Sequence, residues 1–209
     1  MSRVVVVCLA LILSFSFSVA GVSYIRWGRS SCPPGNNLLY TGYMAGPKVD
    51  VGGSGSNFLC MHKDPKFVNP IPGLQSTSGH LVGVEFDIYS QFNGLFKTDN
   101  VPDGNLLNKD MLCAVCQVAY ASDQLMIPGR PDCNGTGYQF QYKGFLVSED
   151  SLPRGRSQYV CLDEAPEGRV GGNANDNQCV VLPVQVGCGS LPCDPYVHGY
   201  EVPCAICTN

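Results

Sequence analysis

The sequence has no stretch of ten or more residues with a clear 3.6-residue apolar period, so helices are expected to be few and short. Histidine is scarce. His62, His80 and His198 are the only three, and none stands in a His-x-x-x-His or similar metal spacing. Gly189-Ser190-Leu191 is no Gly-x-Ser-x-Gly elbow, and no pair of acids stands out as a general acid and base. An enzyme is therefore not expected, nor a cofactor. Basic residues are in deficit, with a formal net charge of −4, which argues against nucleic acid and anionic membranes as partners. There is no Asp-rich tract, so direct control of mineral growth is not expected. Twenty-four glycines and fifteen prolines fit many tight turns but follow no Gly-X-Y period, so no collagen triple helix lies within the chain.

Long apolar runs are missing except at the start. Arg3 is followed by the nearly continuous apolar run Val4 to Phe17, and Ser18-Val19-Ala20 then offers small residues before Gly21. This is the pattern of a cleaved signal peptide over residues 1–20. An uncleaved membrane anchor is the alternative. The run is short and no basic stop-transfer cluster follows it, which favours cleavage. The mature chain is then expected to be secreted and soluble. Without Arg3 it carries twelve cations against 17 acids, a charge of −5.

What is present is cysteine. Twelve occur, and eleven remain once Cys8 leaves with the signal peptide. In an exported chain disulfides are the default for them; zinc or redox chemistry would be the reading in the cytosol. Their spacing is periodic. Cys32 is followed 28 positions later by Cys60, and Cys133 by Cys161 at the same distance. Cys113-Ala114-Val115-Cys116 recurs as Cys204-Ala205-Ile206-Cys207. Between them stand Tyr40-Thr41-Gly42-Tyr43 and Tyr142-Lys143-Gly144-Phe145, and Pro65 and Pro166 each follow a cysteine by five. This order reads as a tandem duplication with halves at 21–120 and 121–209.

Within each half the pattern is short strands and turns. Strands are expected at Val22 to Trp27, Asn37 to Tyr43, Leu81 to Phe92, Leu112 to Tyr120 and Gln124 to Ile127. Gly137 to Val147, Ser157 to Leu162 and Cys179 to Val186 supply the second half. Val82, Val84, Phe86 and Ile88 alternate with smaller or polar residues, the period of a half-buried strand. Val49 to Phe58 and Asn93 to Asn108 read as loops. Asp163, Glu164, Glu167 and Asp176 surround a Gly/Asn-rich loop. They form either a weak calcium site or a solvated acidic edge, and the edge is expected. Cysteines three apart in a strand project to opposite sides, so each is better placed to bond an earlier cysteine than its neighbour. Such bridges would pin the last strand of each half onto its opening strands.

The tandem set Arg29, Cys32-Pro33-Pro34-Gly35, Tyr40 to Tyr43, Cys60 and Cys113 to Cys116 resembles the C-terminal non-collagenous domain of type IV collagen. Its second copy is Ile127-Pro128, Cys133, Tyr142 to Phe145, Cys161 and Cys204 to Cys207. The chain is more similar still to the related domain of invertebrate spongin-type short-chain collagens, which Gly187-Cys188 through Cys193 and Tyr196 also resemble. The likeness spans nearly all of 22–208. It implies an all-β, disulfide-rich fold of two homologous β-subdomains with approximate two-fold symmetry. It further implies the bridges Cys32–Cys116, Cys60–Cys113, Cys133–Cys207, Cys161–Cys204 and Cys188–Cys193. Cys179 is left over, either a free buried thiol or a link to another chain; its apolar neighbours Val180, Val181 and Leu182 favour the free thiol. The first half departs from the type IV pattern in having no small loop pair of its own. The chain also departs in running from signal peptide straight into the domain, so a role in nucleating a triple helix is not carried over.

Three functional classes follow. A structural or interaction protein of the extracellular matrix is expected first. Its partners would be matrix proteins or itself, and a skeletal or mineralised organic matrix is one setting. A secreted carbohydrate-binding module is the alternative, with Trp27, Tyr43, Tyr89, Tyr138 and Tyr196 as candidates for stacking on sugars; in strands such residues are more often core. An enzyme is the third and least favoured. Asn134-Gly135-Thr136 is a valid N-glycosylation sequon in a turn, so a glycan at Asn134 is expected.

Overall fold

Short runs of β-branched and aromatic residues, cut by glycine, proline and asparagine turns, give eleven strands in a computed structural model describing residues 21–150 and 156–209. The expected signal peptide lies outside the described residues. The first half contributes β1 (Gly21–Trp27), β2 (Asn37–Pro47), β3 (Leu59–His62), β4 (Leu81–Gly83), β5 (Glu85–Phe86) and β6 (Leu112–Ala119). The second contributes β7 (Gln124–Pro128), β8 (Gln139–Ser148), β9 (Val160–Asp163), β10 (Val180–Pro183) and β11 (Pro203–Thr208). Among the described residues the one helical element is a 3₁₀ turn at Ser90–Phe92. The fold is all-β, in one open mixed sheet.

The two halves share one pairing scheme. In the first, β6 lies between β1 and β2, and β2 also pairs with β3 and β4. In the second, β11 lies between β7 and β8, and β8 also pairs with β9 and β10. Registers match: Gly42 sits opposite Cys113 and His62, and Gly144 opposite Cys204 and Asp163. Each long ladder slips by one residue at the same place, between Leu38 and Tyr40 and between Phe140 and Tyr142. Such a bulge bends the strand locally.

The glycines of the two Tyr-x-Gly phrases have a steric cause. A Cβ on Gly144 would overlap the backbone carbonyl of Leu162, and one on Gly42 would overlap that of Met61. Five disulfides join Cys32–Cys116, Cys60–Cys113, Cys133–Cys207, Cys161–Cys204 and Cys188–Cys193. On β6 the two cysteines face opposite ways. Cys113 belongs to one apolar cluster, with Cys60, Trp27 and Leu162, and Cys116 to another, with Tyr24, Tyr142 and Ile206. Both clusters draw residues from before and after position 120, so the core crosses the boundary expected there.

The stretch expected as one strand from Leu81 to Phe92 is broken. The Val84 amide still donates to Met44 O of β2; beyond it the amides turn to other partners, Glu85 N donating to Cys179 O and Phe86 N to Lys109 O. Val84, Phe86 and Ile88 are nonetheless buried. Alternating burial survives a change of ladder partner. The expected loop from Asn93 to Asn108 contains no strand, yet it sends Phe96, Val101 and Leu106 into the core.

Candidate functional site, the edge of the first half

Within the chain, the outer edge of β9 is covered. Trp27 of β1 pairs with Leu162 in a short parallel contact, and Glu167 N donates to Gly28 O. Val160 and Leu162 are 3% and 0% exposed. The corresponding strand of the first half is β3, where Leu59 matches Val160 and Met61 matches Leu162 by their registers on β2 and β8. Among the described residues β3 pairs with β2 alone, and β7 with β11 alone. Leu59 and Met61 are 47% and 39% exposed.

The segments that follow diverge in the same way. Residues 164–179 fold onto the first half. Met111 bridges Gly168, Arg169 N donates to Asp110 O, and Val49 N donates to Gln178 O. The carboxylate of Glu85 accepts from Asp176 N and Asn177 N. Glu85 is buried, and burial, the largest cause, raises its carboxyl above the usual range. Residues 61–79 of the first half are exposed without exception, and Phe67, Val68, Ile71 and Leu74 are each 78–85% exposed. Four large apolar side chains thus stand close together in sequence and open to solvent.

Charge distinguishes the covered edge. Arg26 Nη2 lies 2.7 Å from Asp163 Oδ2, Arg29 Nε 3.1 Å from Glu167 Oε1, and Lys97 Nζ 2.6 Å from Glu164 Oε1. Ser30 Oγ donates to Glu167 Oε2 at 2.6 Å. Cations of the first half thus meet acids of the second, with Arg169–Asp110 as the reverse pair.

Three of the four candidate calcium residues have carboxylates engaged in ion pairs. Asp163, Glu164 and Glu167 neutralise Arg26, Lys97 and Arg29. Asp176 gives its backbone amide to Glu85. No group of three or more potential metal ligands occurs among the described residues. Of the histidines, His62 and His198 are exposed and His80 is half-buried, and they stand apart along the chain. His62 Nδ1 caps its own turn through Asp64 N at 2.9 Å, and Ser190 is exposed.

Of the candidate stacking aromatics, Trp27 is 7% exposed and belongs to the core, which corrects its placement among sugar-binding candidates. Tyr43 lines a cleft of about 540 Å³ with Lys63, Asn100 and Glu167, but the Arg169 guanidinium lies over its ring, 5.3 Å from the centroid. Tyr138 is half-buried and donates through its hydroxyl to Asp123. Tyr89 and Tyr196 are exposed, at separate places.

Cys179 is a free thiol with no solvent exposure; its Sγ lies 3.6 Å from Glu149 Oε1. Burial, and then the Glu149 carboxylate, push its pKa up. Within the chain, no second cysteine bridges Cys179. Asn134 is exposed in a turn where Thr136 Oγ1 donates to Cys133 O at 2.7 Å.

The β3 edge and the arm after it went unread as a site in the sequence, although a signal was there. Aligning 59–66 with 160–167 reverses the charge at two positions. The chain matches no family model and no curated protein.

Proposed function

We propose that this is a secreted structural or interaction protein of the extracellular matrix, which joins other chains through the open edge of its first half. The observation that carries the reading is the contrast between matched strands. Val160 and Leu162 are buried, Leu162 paired with Trp27 of β1, whereas Leu59 and Met61 and the arm beyond them face solvent. Sheet edges recruit strands through unpaired backbone groups. Five disulfides fit an oxidising compartment and a chain built for persistence outside the cell. The resemblance to the non-collagenous domain of type IV and short-chain collagens supports the same reading, as does the sequon at Asn134. No catalytic role is proposed. The carbohydrate-binding alternative has less support, since Tyr43 is capped by Arg169 and Trp27 is buried.

The test is sedimentation of the mature glycoprotein over a concentration series, alone and with solubilised extracellular matrix. The proposal expects a heavier species or co-sedimentation with matrix. A monomer at every concentration that binds no matrix component would overturn it.

A further inference from the structure

We infer that the β3 edge takes an extended strand flanked by acidic residues, supplied by a different protein rather than by a second copy of this chain. This deepens the proposed function and rests on it. The template is the covered edge. There β1 meets β9 at one parallel pair, Trp27 with Leu162; Arg26 of β1 and Arg29 two residues beyond its end meet Asp163 and Glu167, while Lys97 meets Glu164. His62, Lys63 and Lys66 stand at the positions of Asp163, Glu164 and Glu167. The register is set by Gly42 opposite His62 and Gly144 opposite Asp163. It continues one residue further, with Lys63 N donating to Thr41 O as Glu164 N does to Lys143 O. Pro65 and Pro166 then fall together.

The covered rim thus carries three acids. The open rim carries Lys63 and Lys66 against Asp64, a single positive excess. Lys63 and Lys66 are exposed and in no ion pair among the described residues. A strand seated on β3 as β1 is seated on β9 would bring its counterparts of Arg26 and Arg29 against His62 and Lys66, with Lys63 next to His62 on the same rim. Acids there are attracted and cations repelled, and such rim charges select partners more than they add affinity. The apolar arm gives the same partner a surface to cover.

A second copy fits this rim less well. Its equivalent of β1 is β7, since Pro128 faces Cys204 as Trp27 faces Cys113. Arg130 then stands where Arg29 does. It would approach Lys66 with like charge, and Asp132 is already engaged by Arg130 at 3.2 Å.

The probes are two ten-residue peptides. One copies Gly21 to Ser30. The other copies it with Arg26→Glu and Arg29→Glu. Each is fluorescently labelled and titrated with the mature protein and with its K63E/K66E variant. The acidic peptide is expected to bind the wild-type protein about tenfold more tightly than the native-sequence peptide, and K63E/K66E to reverse the order. The preference should shrink at 1 M salt, where screening is nearly complete within a few ångströms. Equal binding of the two peptides, or binding of neither, overturns the inference. So does a homo-oligomer that Leu59→Glu with Met61→Glu abolishes, which identifies the occupant as a second copy. Binding of dextran sulfate while the peptides bind alike also overturns it, in favour of a polyanion. Failure here with matrix co-sedimentation intact leaves the proposed function standing. Peptide selectivity without any matrix binding has the opposite meaning.

Discussion

Arg26 of β1 reaches Asp163 of β9 with two nitrogens, Nη2 at 2.7 Å and Nε at 2.8 Å from the same carboxylate oxygen. The other oxygen accepts the Ala165 amide at 2.9 Å. Both side chains are largely buried, at 15% and 4% exposure. A charge left without its partner at such a site is costly. Asp163→Ala is expected to destabilise the protein by about 3 kcal/mol, and a paired replacement of both residues by leucine by clearly less. Urea unfolding with disulfides intact measures both; equal losses for the single and the paired change would refute the assignment.

The two motif glycines should differ in tolerance. Both lack room for a Cβ because a neighbouring carbonyl occupies it. Leu162 is fully buried under β1 and Cys161 beside it is bridged to Cys204, so β9 has little room to yield. Met61 lies on an open edge. Gly144→Ala is expected to cost about 3 kcal/mol and Gly42→Ala about half of that, the difference being how far the facing strand can shift. Chemical denaturation of the two variants checks the order.

Cys179 gives a pH signature. Its thiol is raised by burial in the folded state, whereas an unfolded cysteine titrates near its ordinary value of about 8.5. Above that value the unfolded chain releases a proton that the folded chain retains. Stability is therefore fully present below about pH 8.5 and falls as pH rises, by about 2 kcal/mol at pH 10. Tyr24, pushed up to about 12 by burial, and Tyr142, pushed up further by the same cause, steepen the fall at higher pH. Cys179→Ala should flatten the slope between pH 8 and 10 relative to the parent. Thiol reagents should label the native protein only as fast as it opens.

The disulfides should not contribute equally. Cys32–Cys116 spans 84 residues and Cys188–Cys193 spans five. In the chain-entropy account these correspond to about 4.5 and about 2 kcal/mol. Paired replacement by alanine, followed by thermal melting, should therefore lower the midpoint much more for the long loop. The short loop lies outside both ladders, and its loss should leave the sheet intact.

Much of this architecture was legible because the cysteine spacing and the paired Tyr-x-Gly phrases are set by close backbone contacts. Gly42 and Gly144 are required where a strand carbonyl crowds the chain, and Cys113 and Cys116 must face opposite clusters. The edge was not legible. Leu59-Cys60-Met61 and Val160-Cys161-Leu162 are alike as local patterns, and only the arrival of β1 buries one and leaves the other open. Trp27 was open to misreading for the same reason, since nothing local says that β9 covers it. The break after Val84 escaped because alternating burial does not reveal which strand an amide pairs with. The charge reversal between 63–66 and 164–167 was the one local trace of the difference, visible only once the two segments are set in register.

The central claim is that the β3 edge and its arm are the joining surface. Its most direct test is retention of secreted protein in assembled extracellular matrix, comparing the parent with a Leu59→Glu, Met61→Glu and Phe67→Glu variant. All three residues are exposed, so the fold should persist, with Cys179 still shielded from thiol reagents. The expected result is retention of the parent and loss of the variant to the medium. Equal retention of the two, or release of both, would contradict the account.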